Sequence, residues 1–410
     1  MSTPDLQLQM DFPDATRQDW RALAEAGLRG KAFEALVSET EDGLRRGPLF
    51  DADERPEAAA LPAPDAPMLD GRAWHVCAAV NDPELEHANR QLLDDLRGGA
   101  SAVRIDRVPL ARRADLRRVL EGVLLELVPV VLAPHEDAAT RAELALGEDS
   151  LRSSPVTLGL SVADPALQDI AARCPDGWRA ATVNGARVEA MGGTDVLELA
   201  VMCAEAALGY RRRGADAALA AEIATHADAH LSICKTRAAR RLLGAVGGAF
   251  GQDAPVPLHA VTGRRMMQST DAWSNLLRTT SAAFGAVVGG ADYVSTRAFT
   301  DPLGGATPFA HRVARNQQLL MMEESRLGLV ADAAHGSHFH EAMTEAMAQA
   351  AWAMFQEIER VGGLEDWEAS GALEAVVAEA CEMREARAEP VLGVTLHPVP
   401  DDVPVPEVRS

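Results

Sequence analysis

Between residues 71 and 398, short apolar runs alternate with longer mixed stretches. The runs read as buried strands: Ala102–Ile105, Val128–Leu132, Val156–Leu160, Ala181–Val183, Leu231–Ile233, Leu258–Val261, Tyr293–Thr296 and Val391–Leu396. Stretches rich in Ala, Leu, Glu and Arg lie between them, such as DVLELAVMCAEAALGYRRR and EAMTEAMAQAAWAMFQEIERV, and read as helices. Eight such units over roughly 300 residues predict an α/β fold, a (β/α)8 TIM-type barrel with insertions after the fourth and seventh runs. A doubly wound open sheet is the alternative, but no GxGxxG turn follows any run.

Residues 1–70 follow another pattern. Asp14 to Trp20 offers N-cap candidates ahead of WRALAEAGL, Gly30 is placed to end that helix, and AFEALVSETEDGLRR predicts a second helix. Residues 51–70 are rich in Pro, Ala and Asp and read as a strap. Two short helices and a strap cannot bury a core alone, so this N-terminal helical arm needs a partner surface, on this chain or another. Residues 399–410, within HPVPDDVPVPEVRS, read as the start of an interdomain linker.

Composition narrows the class. Lys and Arg number 39 against 61 Asp and Glu, a formal charge of −22, which repels phosphate backbones and anionic lipid. Nucleic acid and membrane are therefore not expected partners. A bound anion would need a local exception, sought among clustered arginines. Only Lys31 and Lys235 are lysines. Five widely spaced cysteines with no CxxC pair exclude a disulfide framework and a zinc ribbon. The first residues have no secretory pattern and no run of 18 apolar residues occurs, so a cytoplasmic protein is expected.

Histidines supply the candidate chemistry. His226 and His230 have the i, i+4 spacing of metal ligands on a helix, without the glutamate of HExxH, and a strand is expected immediately after them. His335, His338 and His340 precede Glu341; in a strand the last two would share a face, although a solvated loop is the simpler reading. No metal site is assigned to either group. His259 lies in VPLHAV, just before Thr262-Gly263-Arg264-Arg265, which suggests the C-terminal mouth of a barrel strand. A satisfied inner-layer histidine is the equal alternative there.

Three longer stretches carry a resemblance: DAWSNLLRTTSAAFGAVVGGADYVSTRAFT, ARNQQLLMMEESRLGLVADAAHGSHFHE and AWAMFQEIERVGG. They resemble the substrate-binding barrel of methylmalonyl-CoA mutases, whose patterns are DPxxNxxRxT, ARNTQ, EES, VxDPAGGSYYVE and AWxxFxxIExxGG. FPDATRQDWRAL, GKAFEALVSETEDG and AWHVCAAVNDPELEHANRQLLDDLRGGASAVRI are most similar to the small (β) subunit of heterodimeric members. The resemblance implies that His259, twelve residues before Asp271, is the histidine that hydrogen-bonds a substrate thioester in catalytic subunits. There the motif is HxQTSG; here it is the small-subunit-like HAVT. The same resemblance implies that Asn316 and Gln318 of the ARNTQ-like segment, and Glu341, face a corrin.

Other family features are missing. Catalytic subunits carry a tyrosine in an RQYxG-like turn before the barrel, whereas this chain has only Tyr210 and Tyr293. The cobalamin-binding motif DxHxxG has no counterpart beyond Asp228-Ala-His230, which lacks the glycine. What the resemblance implies is a small-subunit-like accessory barrel that supports the isomerisation of methylmalonyl-CoA and succinyl-CoA. Its adenosylcobalamin would be held by a catalytic partner or a separate domain, in a heterodimer. Two alternatives are an active acyl-CoA mutase barrel borrowing a separate cobalamin domain and a degenerate acyl-CoA-binding protein. Whether the bore is open to coenzyme A turns on its inward side chains, with Arg265, Met266 and Met267 as candidate fillers.

Overall fold

Eight parallel strands close into a barrel in the computed structural model, which describes residues 15–53, 56, 72–213, 218–252, 254–400 and 406–408. Most of the 51–70 strap and of the 399–410 tail lies outside those residues. An arm precedes the barrel: helix α1 (Arg17–Gly27), a 3-10 turn (Phe33–Leu36) and a hairpin of β1 (Ser38–Glu39) and β2 (Arg45–Arg46). The first half of the barrel runs β3 (His75–Val80), α2 (Leu85–Arg97), β4 (Ala102–Ile105), α3 (Arg113–Val119), β5 (Val130–Leu132), α4 (Ala138–Leu146), β6 (Val156–Leu160) and α5 (Leu167–Ala172). The second half runs β7 (Arg179–Asn184), α6 (Ala186–Met191), α7 (Asp195–Arg213), β8 (Leu219–Thr225), α8 (Ala229–Ala249), β9 (Leu258–Thr262), α9 (Asn275–Val288), β10 (Tyr293–Ser295) and α10 (Pro308–Leu319). Three more helices follow: α11 (His338–Arg360), α12 (Leu364–Ala369) and α13 (Ala372–Arg387).

The expected barrel class is present, and six of the eight expected strands form. Leu231–Ile233 instead lies in the first turns of α8, because the Asp228 carboxylate accepts the Leu231 amide at 3.0 Å and caps a helix there. Val391–Leu396 is a tight turn. The amides of Val394, Thr395 and Leu396 all converge on the Val391 carbonyl, and Gly393 takes a left-handed φ of 79°. The strands that replace these two are β3 and β8. LAAEIAT carries three alanines and no alternation, which disguises β8 as helix. The expected insertions consequently follow the fifth and eighth barrel strands, β7 and β10. The second arm helix is also absent: beyond Leu36 the chain turns at Thr40, whose hydroxyl accepts the Leu44 amide, and at Gly43 with φ 72°. The first arm helix does form, capped by the reciprocal Thr16–Asp19 box.

Outward strand residues such as Val76, Val103, Ile105, Val130, Leu158 and Ala260 are buried against the helical ring. Helix α7 is buried on nearly every face, because α11 lies across α7 and α8 as an outer layer. Among the described residues no helix is long and apolar enough to cross a membrane.

Candidate functional site

In-register positions on neighbouring parallel strands point to the same side of a sheet. His75, Tyr293, His259 and Glu222 are such a row across β3, β10, β9 and β8. Glu222 marks that side as the bore, because it meets Arg104 of β4, a strand it does not adjoin. Arg104 Nη2 donates to Glu222 Oε1 at 3.1 Å, and Nη1 closes a second bond to Oε2. This bidentate pair spans the barrel. Around it lie Cys77, Ala102 and Val131, with the His75 ring stacked on Tyr293 at 4.6 Å. Arg104 is 7% exposed, Glu222 4%, His259 6% and Cys77 2%, so these four side chains are buried in the bore, while His75 and Tyr293 are half-buried.

His259 is the second residue of β9, three below the strand's end, and sits within the bore rather than at its mouth. Its Nε2 lies 2.9 Å from Ser295 Oγ, and that hydroxyl donates to the Cys77 carbonyl at 2.9 Å. His259 Nε2 is therefore the donor in a closed chain. Burial, with Arg104 and His75 nearby, holds the imidazole well below its usual pKa and neutral. Burial also pushes the Cys77 thiol up to about 12, so it is not a nucleophile at neutral pH.

The structure does not bring His259 together with Gln318, Asn316 and Glu341. Gln318 is buried on α10; its amide donates to the Val294 carbonyl and to Thr296 Oγ1 and accepts Trp74 Nε1, stitching the helix to β10. Asn316 is exposed. Glu341 opens α11 and is consumed by Arg237 and Arg241, each at 2.9 Å, by His335 and by the Gly336 amide. With two of the three fully engaged and the third facing solvent, these residues do not fit a shared face for a corrin.

The histidine groups also separate. His226 precedes α8 and hydrogen-bonds Asp195 at 2.8 Å, whereas His230 meets His340 at 3.1 Å. His338 and His340 begin a helix, not a strand. Among the described residues no three His, Cys, Asp or Glu side chains gather as a metal set.

At the C-terminal mouth the arm hairpin covers a cavity of about 510 Å³. Glu41 is gripped by Arg265 at 3.0 Å and Arg384 at 2.8 Å, Arg46 pairs with Asp228 at 2.8 Å, and Arg387 donates to the Thr40 carbonyl. Arg265 is thus a clamp on the arm, not a bore filler. Beneath lies a buried charge network: Lys235 Nζ bonds Asp195 at 2.8 Å and Glu198 at 2.6 Å, and Glu198 accepts the Ala224 amide. Burial works to raise Asp195, but His226 and Lys235 outweigh it and hold the carboxyl far below its usual range.

Asp42 in the hairpin behaves oppositely. Burial first, then the Asp195 charge, pushes its carboxyl up to about 6, against bonds from Thr194 and the Val196 amide. A carboxyl raised by folding binds more protons folded than unfolded between 3.8 and about 6. Hairpin docking is thus expected to weaken as pH rises through that window. Hydrogen exchange corrected for intrinsic rates should show stronger hairpin protection at low pH than at neutral pH, and Asp42→Asn should flatten the difference.

Sequence reasoning passed over Arg104 and Glu222. The signal was a single charge inside each of two otherwise apolar runs, AVRI and LAAEIAT.

A closed, all-parallel (β/α)8 barrel with a charged pair across its bore and an arm clamped over its mouth defines the class. A family model described as methylmalonyl-CoA mutase matches residues 166–399. A methylmalonyl-CoA mutase small subunit of Streptomyces virginiae is 34% identical, over 98% of this chain and 73% of that protein. The small subunit of Propionibacterium freudenreichii subsp. shermanii is 30% identical, over 96% of this chain and 70% of that protein. A methylmalonyl-CoA mutase of Rhizobium meliloti is 25% identical, over 96% of this chain and 65% of that protein. The chain belongs to the methylmalonyl-CoA mutase family.

Proposed function

We propose that this chain is a small-subunit-type mutase barrel. It is an accessory, non-catalytic subunit that supports the interconversion of methylmalonyl-CoA and succinyl-CoA by a cobalamin-dependent catalytic partner in a cytoplasmic heterodimer. In this reading residues 1–70 form the arm and strap, 71–398 the barrel and 399–410 a linker tail.

The Arg104–Glu222 pair across the bore carries the reading. An acyl-CoA lying along a barrel axis needs that volume, and separating a buried ion pair leaves two uncompensated charges in a low-dielectric interior. His259 supports the same conclusion, since its Nε2 donor is already committed to Ser295. Tyr293 is stacked on His75 in the bore and Tyr210 is buried on α7, so neither occupies a turn ahead of the barrel. Two of the small subunits among the relatives match over nearly the whole chain. Because Gln318, Asn316 and Glu341 do not form a cofactor face, adenosylcobalamin is assigned to the partner.

The test is co-expression with the catalytic mutase barrel of the same genome. Stable co-purification is expected, together with isomerase activity that depends on this chain for stability or rate. The chain alone should bind neither methylmalonyl-CoA in its bore nor adenosylcobalamin saturably. Turnover by the isolated chain with an added cobalamin protein would instead establish an active barrel. Saturable acyl-CoA binding in the bore without any partner would establish a degenerate binding protein.

A further inference from the structure

A second cleft lies on the outer wall of the barrel, outside the bore. Strands β3 and β10 are neighbours in the closed sheet, so the helices that follow them, α2 and α10, run side by side. The groove between them encloses about 750 Å³, within the range of roughly 300–1,000 Å³ typical of small-molecule sites. Its floor is fixed by Gln91, whose side-chain amide donates to the Ala79 carbonyl and lies 3.0 Å from His311 Nδ1.

The charges of this cleft do not cancel. Asp95 is neutralised by Arg315 at 2.7 Å, and Asp94 pairs with Arg97 at 3.3 Å. That leaves Arg90 and Arg312, which have no carboxylate partner among the described residues although the chain carries 22 more acidic than basic side chains. Both line the same cleft from opposite helices. Phe309, 47% exposed at the head of α10, lines the same cleft, with the Arg312 guanidinium 5.6 Å from its ring centre. Two uncommitted guanidinium forks facing one groove suit phosphate oxygens, which accept paired N–H donors. An exposed phenyl ring beside them suits a flat aromatic base. The helix dipole of α10 adds positive potential at the same end, although Pro308 has no N–H and the Ala310 amide is capped by the Thr307 hydroxyl.

The geometry points to a nucleoside-phosphate site in the α2–α10 cleft: Arg90 and Arg312 hold the phosphates and Phe309 stacks on the base. The cleft is lined by side chains other than those lining the bore or clamping the arm, so its failure and that of the subunit reading are distinguishable: coenzyme A held here is lost with Arg90 and Arg312, whereas an acyl-CoA held in the bore is not. It also supplies the local exception that an anionic ligand needs on a chain of charge −22.

Titration calorimetry on the full chain at low ionic strength tests it, with ADP, inorganic pyrophosphate, coenzyme A and a decaglutamate peptide as probes. ADP and pyrophosphate should each bind once. The pair Arg90→Ala with Arg312→Ala should weaken both by at least about tenfold, the loss expected for charge-assisted bonds at a partly exposed site. Phe309→Ala should weaken ADP several-fold and leave pyrophosphate unchanged. Competition between coenzyme A and ADP at similar affinity would identify the nucleotide end of coenzyme A as the source. Binding of ADP alone would identify a free nucleotide. The proposal is overturned by absence of saturable ADP and pyrophosphate binding, by equal binding to the arginine variant, or by tighter binding of the peptide, which would make the cleft a seat for an acidic protein segment. All three substituted side chains are on the surface, so circular dichroism should show an unchanged fold.

Discussion

Lys235→Met is expected to lower the unfolding free energy by about 3–5 kcal/mol, the cost of stripping the cation from a buried ionic cluster. Lys235 is 0% exposed, and its ammonium is shared by Asp195 and Glu198. Methionine matches its length and can pack in the same space, so the loss comes from the stranded carboxylates and not from a cavity. Asp195 keeps His226 as a partner, whereas Glu198 keeps only the Ala224 amide. Glu198 already shows the strain of its position: burial pushes it up to about 7 even with Lys235 beside it. Without the ammonium its carboxyl rises further, the folded state binds the extra proton, and stability falls as pH rises through the interval. Urea unfolding should therefore show a smaller deficit at pH 5 than at pH 8. Glu198→Gln in the same background should recover part of the loss, because it removes the uncompensated charge. A deficit that is equal at both pH values and unrelieved by Glu198→Gln would show that the network is not ionic.

The fold was legible where local pattern and tertiary environment agree. Val156–Leu160 alternates between the helical ring and the bore and is found at its expected bounds. Pattern failed where a distant or backbone feature decides. Leu231–Ile233 has the composition of a strand, but the Asp228 carboxylate starts a helix three residues earlier. In Val391–Leu396 the β-branched residues are overruled by Gly393, whose left-handed conformation folds the run onto itself. The site was less legible than the fold. His259 stands out by residue type, yet its effect depends on Ser295 and Cys77, which join it only when the barrel closes. Arg104 and Glu222 are 118 positions apart, and no local spacing links them. The arm's second helix failed similarly, since arginines 265, 384 and 387 recruit the hairpin from far along the sequence.

The Arg104–Glu222 pair gives the second large effect and bears on function. Arg104→Met alone should cost about 3–5 kcal/mol, because Glu222 is left without its partner in the bore, and Glu222→Leu should cost a similar amount by stranding Arg104. Arg104→Met combined with Glu222→Leu replaces the pair by apolar side chains of similar volume. That variant should return to within about 1 kcal/mol of wild type, since neither charge then needs compensation. The double-mutant cycle should accordingly give a coupling of several kcal/mol, well above the few tenths found for independent sites. The same variant separates structural filling from catalysis. If the bore is only packed, a heterodimer reconstituted with the Met/Leu barrel isomerises methylmalonyl-CoA at the wild-type rate. A barrel that itself turned over an acyl-CoA would have to part this pair in each cycle, and exchanging it for an apolar plug would change kcat. Steady-state kinetics of the reconstituted complex, alongside the stability cycle, decide between them.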